Sequence, residues 1–310
     1  MKRNRKIVVL SGGVSEEKEI SEITSNEIAA ALEKKDFQTI ILDPSQFSSY
    51  LKLIEKINEI KPYIVFNGLH GSIGENGQIQ SLLKLEGIPF TGSGFRASAI
   101  CMDKYLSGKL ATTLEIAVPE RYFYSGNDDF QKESILKQIG IPLVIKPNDS
   151  GSSVGISIID TPGKIQEAME NAFKFSNSIL FEKYIEGREL TVTILGHKPL
   201  PVVEIKPKNG WYDYRNKYTK GNTSYHVPAD LTEAEAKEIQ NNALMIFRLF
   251  GCEVYARIDF RYDGEQFYFL EVNTLPGMTP LSLTPMAAKE TGLDFPELLI
   301  KIIEFSLKKK

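Results

Sequence analysis

Between Arg257 and Asn273 the chain gathers a guanidinium, two carboxylates and an amide around one turn signal: Arg257-Ile258-Asp259, then Asp263-Gly264, then Glu271-Val272-Asn273. Aromatic and branched residues flank the Asp-Gly pair, which predicts a β-hairpin. Val254, Ala256, Ile258, Phe260, Tyr268, Leu270 and Val272 are all even-numbered, and strands alternate faces with period two. If these residues share one buried face, even pairs with even, and the turn around Gly264 has an odd length. The opposite face then carries Arg257, Asp259, Glu271 and Asn273 together. Two carboxylates and an amide oxygen are hard donors suited to magnesium, which binds few protein groups and completes its shell with substrate phosphates. A magnesium nucleotide is therefore the expected ligand. A solvated amphipathic hairpin would account for any one of these charges, but not for four converging groups followed by the rigid exit Thr274-Leu275-Pro276-Gly277.

Three glycine-bearing segments could handle small anions or ammonium groups. Gly12-Gly13-Val14-Ser15-Glu16-Glu17 follows a strand and opens a helix, where backbone donors gather negative charge. It lacks the dinucleotide Gly-x-Gly-x-x-Gly spacing. Ser15 as a helix N-cap with Glu16 and Glu17 complementing the dipole fits equally, as does an acid holding a bound ammonium. Leu69-His70-Gly71-Ser72-Ile73-Gly74-Glu75-Asn76-Gly77 ends a strand, a common place for ligand loops in open α/β sheets. Lys146-Pro147-Asn148-Asp149-Ser150-Gly151-Ser152-Ser153-Val154-Gly155 couples a strand-end lysine to a donor-rich loop, a good phosphate grip. Phe181 to Glu189 offers a strand edge that could read an adenine and carboxylates that could accept ribose hydroxyls; a solvated strand end fits as well. The P-loop pattern is absent.

Alternating strands and helices must position these groups. Strands are expected at Lys6–Leu10, Thr39–Leu42, Tyr63–Asn67, Leu143–Lys146, Ile179–Tyr184 and Leu190–Leu195. Helices are expected at Ser21–Lys34, Ala97–Leu110, Pro162–Phe173, Glu233–Phe250 and Phe295–Ser306. The early βαβ rhythm predicts a small doubly wound domain up to about residue 95. A second region runs over 96–186 and a third over 187–310, with a long polar stretch, Lys206–Ala229, expected to act as a lid.

At 310 residues, 42% apolar and 25% charged, the chain can bury cores for two or three domains. With 37 basic against 40 acidic residues and a net charge of -3, it has no basic field to attract nucleic acid. The apolar run Ile7–Leu10 is too short for a signal peptide core or a membrane span. Cys101 and Cys252 stand outside any paired motif and read as small core residues of a protein in a reducing cytoplasm.

Lys104, Lys146, the Gly151–Gly155 loop, Glu182 to Glu189 and the Arg257, Asp259, Glu271, Asn273 hairpin together resemble the ATP-grasp ligases. Within that superfamily the Gly12–Ser21 segment, the His70–Gly77 loop, Lys217-Tyr218 and Asn273-Thr274-Leu275-Pro276-Gly277-Met278-Thr279 resemble the D-alanine:D-alanine ligase family over essentially the whole chain. The resemblance implies an α/β, three-domain ATP-grasp architecture: a Rossmann-like domain followed by two α+β domains clasping ATP. It implies that Lys104, Lys146 and Lys217 hold ATP phosphates with Ser152 and Ser153, that Glu182, Lys183 and Ile185 hold the adenine, and that Glu189 holds the ribose. Asp259, Glu271 and Asn273 would bind two magnesium ions, with Glu271 bridging; manganese would suit the same donors. Glu17 would hold the ammonium of the first D-alanine near His70, within a hydrogen-bonded network completed by Ser152 and Tyr218. Arg257 and the Gly277 N–H would stabilise the oxyanion, and Ser282 with Leu283 would hold the second D-alanine. A homodimer is implied, with no membrane or nucleic-acid partner. The Lys217-Tyr218 pair is similar to that of dipeptide-forming members rather than D-lactate-using ones. Asn76 in place of a frequent Asp and Arg261 in place of an apolar residue are departures; Arg261 is expected to find an ion-pair partner on the functional face. A ligase for other amino acids, or a nucleotide-binding protein without catalysis, shares part of this residue set.

Overall fold

The computed structural model describes residues 5–127, 129–208 and 221–309; Lys217 and Tyr218 lie outside these described residues. The first sheet is parallel: β1 (Lys6–Leu10), β2 (Gln38–Leu42) and β3 (Ile64–Asn67), in the order β2-β1-β3. Alternation divides its side chains between two cores. Ile7, Val9, Ile64 and Phe66 pack with α1 (Lys18–Glu33). Val8, Leu10 and Val65 pack with α2 (Tyr50–Ile60) and, beyond the one-turn α3 (Ser72–Glu75), with α4 (Gln78–Leu85). Burial on both faces explains the uninterrupted apolar run of β1, and is the doubly wound arrangement expected.

The single helix expected over Ala97–Leu110 is two: α5 (Phe95–Met102) and α6 (Lys104–Thr112). Asp103 leaves helical geometry, at φ -81° and ψ 102°, and its carboxylate accepts from the Leu106 N–H at 2.8 Å. An aspartate that caps one helix ends the helix before it. Lys104 thereby becomes the first residue of α6.

The second sheet is antiparallel, in the order β4-β7-β5-β6, from β4 (Arg121–Tyr124), β5 (Leu143–Pro147), β6 (Ser157–Ile159) and β7 (Ile179–Lys183). Leu143, Ile145, Ile179 and Phe181 face α7 (Lys132–Ile139) and α8 (Ile165–Phe173). The other face presents a transverse row in register: Arg121, Glu182, Val144 and Ile158.

The third sheet contains β8 (Arg188–Leu195), the two-residue β9 (Lys198–Pro199), β10 (Val203–Pro207), β11 (Thr223–His226), β12 (Tyr255–Tyr262) and β13 (Phe267–Asn273). Its order is β11-β10-β8-β12-β13, with β9 on β8. Leu190, Val192, Ile194, Ala256, Ile258 and Phe260 form a core with α9 (Glu233–Leu249) and α5. The polar stretch 206–229 is therefore not loop throughout, because its ends form the antiparallel pair β10–β11. After α10 (Leu283–Lys289), α11 (Phe295–Ser306) returns to the first sheet, where Leu298, Leu299 and Ile302 join the core of Ile7, Val9 and Phe66. Cys101 and Cys252 are both buried, as expected, and their sulfurs lie 3.7 Å apart despite 151 residues of separation.

The hairpin corrects one expectation. Arg257 pairs with Asn273, Ile258 with Val272 and Asp259 with Glu271, even to even and odd to odd, but Phe260 then pairs with Phe269 and Tyr262 with Phe267. The connection is Asp263–Gln266, an even rather than an odd length. A β-bulge at Leu270 absorbs the missing residue, since a bulge opposes two residues to one. Phe267 and Phe269, not Tyr268 and Leu270, consequently fill the buried face.

Candidate active site

The odd-numbered face of β12 and the end of β13 look across at the row on the second sheet. Between them lies a cavity of about 120 Å³ walled by Lys104, Lys146, Ser153, Glu182, Lys183, Ile185 and Glu189, together with Arg257, Asp259 and Glu271. Val144, Ile156, Ile158 and Leu270 supply its apolar surface, suited to a flat ring with few polar contacts. Leu270 was read as a core residue; the bulge delivers it here instead. Arg261 ends 3.6 Å from Glu189, donates to the Ile185 carbonyl at 3.1 Å and lies over the Tyr184 ring, the ion-pair role expected for it.

Buried charge is concentrated on this cleft. Lys146 Nζ is 2.7 Å from Glu182 Oε1, and Arg121 Nε is 2.5 Å from Glu182 Oε2. Burial pushes the Glu182 carboxyl up, but the Arg121 guanidinium and the Lys146 ammonium outweigh it and hold the group below the usual glutamate range. Burial lowers the Lys146 ammonium and the Arg121 guanidinium lowers it further, while the Glu182 charge only partly restores it. Lys104 Nζ reaches Glu271 Oε2 at 3.1 Å and the Ser150 carbonyl at 2.6 Å. Along β12, Arg257 grips Asp259 through Nε at 2.9 Å and Nη2 at 2.8 Å, while Thr191 Oγ1 of β8 donates to Asp259 Oδ1 at 2.5 Å and, across the hairpin, Asn273 Nδ2 donates to Oδ2 at 2.9 Å.

Asp259 and Glu271 are direct cross-strand partners. Arg257 and Lys104 compensate their charges, and an all-oxygen set with an adjacent amide fits a hard divalent ion. Among the described residues no three His, Cys, Asp or Glu side chains converge. A magnesium ion would thus rest on two carboxylates and Asn273 and depend on phosphate oxygens, its usual manner of binding.

A second cavity, of about 330 Å³, adjoins the first. Glu17, His70, Ser152, Asn273, Gly277, Ser282 and Leu283 line it, and Arg257 lines both cavities. Ser152, expected beside the nucleotide as well, belongs to this wall and hydrogen-bonds Glu17. Ser152 and Ser153 both hold positive φ, at 48° and 58°, strain that a loop retains when its side chains must be aimed. Ser15 is not the N-cap of α1. Glu17 occupies that position without a side-chain cap bond, while the Ser15 hydroxyl donates to the His70 carbonyl at 2.7 Å and accepts from the Glu17 N–H at 3.3 Å. The Glu17 carboxylate is thereby turned from its own helix toward the cavity. The His70 ring stands 3.1 Å from Thr24 Oγ1 and 3.6 Å from Glu75 Oε1.

Arg121, Thr191, Thr24 and Leu270 were missed by sequence reading. Arg121 carries no motif, Thr191 and Thr24 read as ordinary strand and helix residues, and only the bulge could have flagged Leu270.

Residues 110–304 match the family model described as D-ala D-ala ligase C-terminus. The chain is 38% identical over 303 residues to a D-alanine–D-alanine ligase of Pseudoalteromonas translucida, covering 97% of each. The chain belongs to the D-alanine–D-alanine ligase family. The crystal structure of the D-alanine–D-alanine ligase of Bacillus anthracis aligns with a TM-score of 0.88 at 35% identity, covering 98% of each chain. The same enzyme complexed with ATP aligns at 0.84 and 32% identity, covering 98% of this chain and 97% of that one. The three sheets described above are the three-part ATP-grasp layout of this family.

Proposed function

We propose that this protein joins two D-alanine molecules into D-alanyl-D-alanine for peptidoglycan precursor synthesis, converting ATP to ADP and phosphate. The observation that carries this reading is Arg257, whose side chain walls both cavities. A carboxylate is a poor electrophile, so one oxygen of the first D-alanine attacks the γ-phosphorus and ADP leaves. The second amine then attacks the acyl phosphate carbonyl, and phosphate departs as the nitrogen loses a proton. Both steps develop negative charge, which Arg257 and the Gly277 N–H stabilise.

Glu17, backed by Ser152 and near His70, receives the first ammonium; Ser282 and Leu283 receive the second D-alanine. Lys104 and Lys146 grip phosphate oxygens with Lys217 and the Ser152-Ser153 loop, while Lys183 and Ile185 take the adenine and Glu189 the ribose. Glu182 shares the adenine wall and steers Lys146. Asp259, Glu271 and Asn273 would hold two magnesium ions, which when bound would neutralise phosphate charge. The 206–229 stretch, with Tyr218, serves as the cover that keeps water from the acyl phosphate; Tyr225 of β11 already lines the amino-acid cavity. The chain divides into domains at about residues 95 and 186 and works as a homodimer in the cytoplasm. Among the described residues no helix is long and apolar enough to cross a membrane.

ATP-dependent phosphate release across D- and L-amino acids and D-lactate, with product identification, tests this reading. D-alanyl-D-alanine should dominate, with D-alanine strongly preferred over D-lactate near neutral pH. Predominant depsipeptide would refute the specificity, and absence of release with every substrate would refute the activity.

A further inference from the structure

Arg121 stands where three pieces of the molecule meet beneath the nucleotide cavity, and no step above uses it. Its side chain is 5% exposed. Nε contacts Glu182 Oε2 on the neighbouring strand. Nη1 donates to the Lys104 carbonyl at 2.7 Å, at the start of α6, and Nη2 donates to the Leu270 carbonyl at 2.8 Å, at the bulge of β13. A guanidinium presents its N–H groups in a fixed fork, so partners in three directions hold both it and them in one frame.

The charges point the same way. Glu182 gives one oxygen to Arg121 and the other to Lys146. Two buried cations share one carboxylate, leaving one net positive charge beside the cavity. With Glu182 and Lys146 alone, the pair would be neutral and would attract phosphate less.

We propose that Arg121 is a positioning residue for the nucleotide: it shares Glu182 with Lys146, which fixes both side chains and adds positive charge to the wall, and it ties Lys104 and Leu270 to the same wall. This role rests on the cleft being the ATP site. Gly108 is its complement. A Cβ there would collide with Arg121 Nη1, which accounts for an intrinsically unfavourable glycine inside α6.

The test is steady-state phosphate release, with ATP and D-alanine varied separately, for Arg121→Gln, Arg121→Lys, Gly108→Ala and Lys146→Met. Arg121→Gln should raise KM for ATP roughly tenfold or more while KM for D-alanine stays within about twofold. Arg121→Lys, which restores the charge without the fork, should recover part of the loss. Gly108→Ala, which leaves Arg121 in place but displaces its guanidinium, should raise KM for ATP while KM for D-alanine stays within about twofold; it decides the matter if Arg121→Gln does not fold. An equal rise in both KM values would mean a general structural role and overturn the proposal. If Lys146→Met raises KM for ATP but Arg121→Gln and Gly108→Ala do not, the positioning role falls and the ATP site stands. If Lys146→Met has no effect either, both fall.

Discussion

Gly71 and Gly151 approach Glu17 from two loops, and a Cβ on either would meet Glu17 Oε2, at 2.6 and 2.9 Å. Gly71 also holds φ +65°, a conformation side chains resist. Gly71→Ala is therefore expected to displace the carboxylate and raise KM for D-alanine by roughly tenfold, with KM for ATP little changed. Unchanged D-alanine kinetics would remove Glu17 from the ammonium site. Arg257→Ala should lower turnover by roughly a hundredfold or more if the guanidinium meets the developing oxyanion. Near-normal phosphate release from that variant would end the assignment. Glu17 and Arg257 were legible in the sequence as candidate groups; their approach to a common cavity was not.

Two elements act through a local irregularity. Asp103 splits what periodicity reads as one helix, and the split sets Lys104 on the first turn of α6, within reach of Glu271. The bulge of β13 adds Leu270 while leaving the pairs on either side, Asp259 with Glu271 and Phe260 with Phe269, intact. Deleting Leu270 should therefore restore a regular ladder rather than shift the register. The folded protein should persist, as circular dichroism would show, while KM for ATP rises roughly tenfold because the cavity loses a wall. A deletion variant with wild-type KM would show that the bulge serves only the twist of the sheet. Alternation along β12 and β13 was visible in the sequence, but a bulge is one residue of tertiary compromise and leaves no periodic mark.

At the scale of the molecule, α11 packs on the first sheet and Lys309 continues the contact beyond it. Its ammonium lies 3.7 Å from the centre of the Phe90 ring and donates to the Gly92 carbonyl at 2.9 Å. Burial lowers this lysine from 10.5 to about 8. A base with a depressed pKa binds fewer protons folded than unfolded, so the folded state gains stability as pH rises from about 8 toward 10.5 and loses that gain as pH falls back through 8. The melting temperature of the wild type, relative to Lys309→Met, should accordingly rise between those pH values. A constant difference would mean that the ammonium is not buried as described.

Sequence by itself determined the α/β alternation, the hairpin with its four polar groups, and the glycine loops, because periods of 2 and 3.6 and the demands of turns are local. Tertiary structure alone decided which distant groups share a charge or a wall. Glu17 and Ser152 meet across 135 residues, and Arg121 reaches Leu270 across 149. Such contacts arise when separate sheets pack face to face, and desolvation there turns ordinary lysines, glutamates and arginines into a site. Local pattern carries no record of that packing, which is why Arg121, with no motif around it, emerged only from the folded chain.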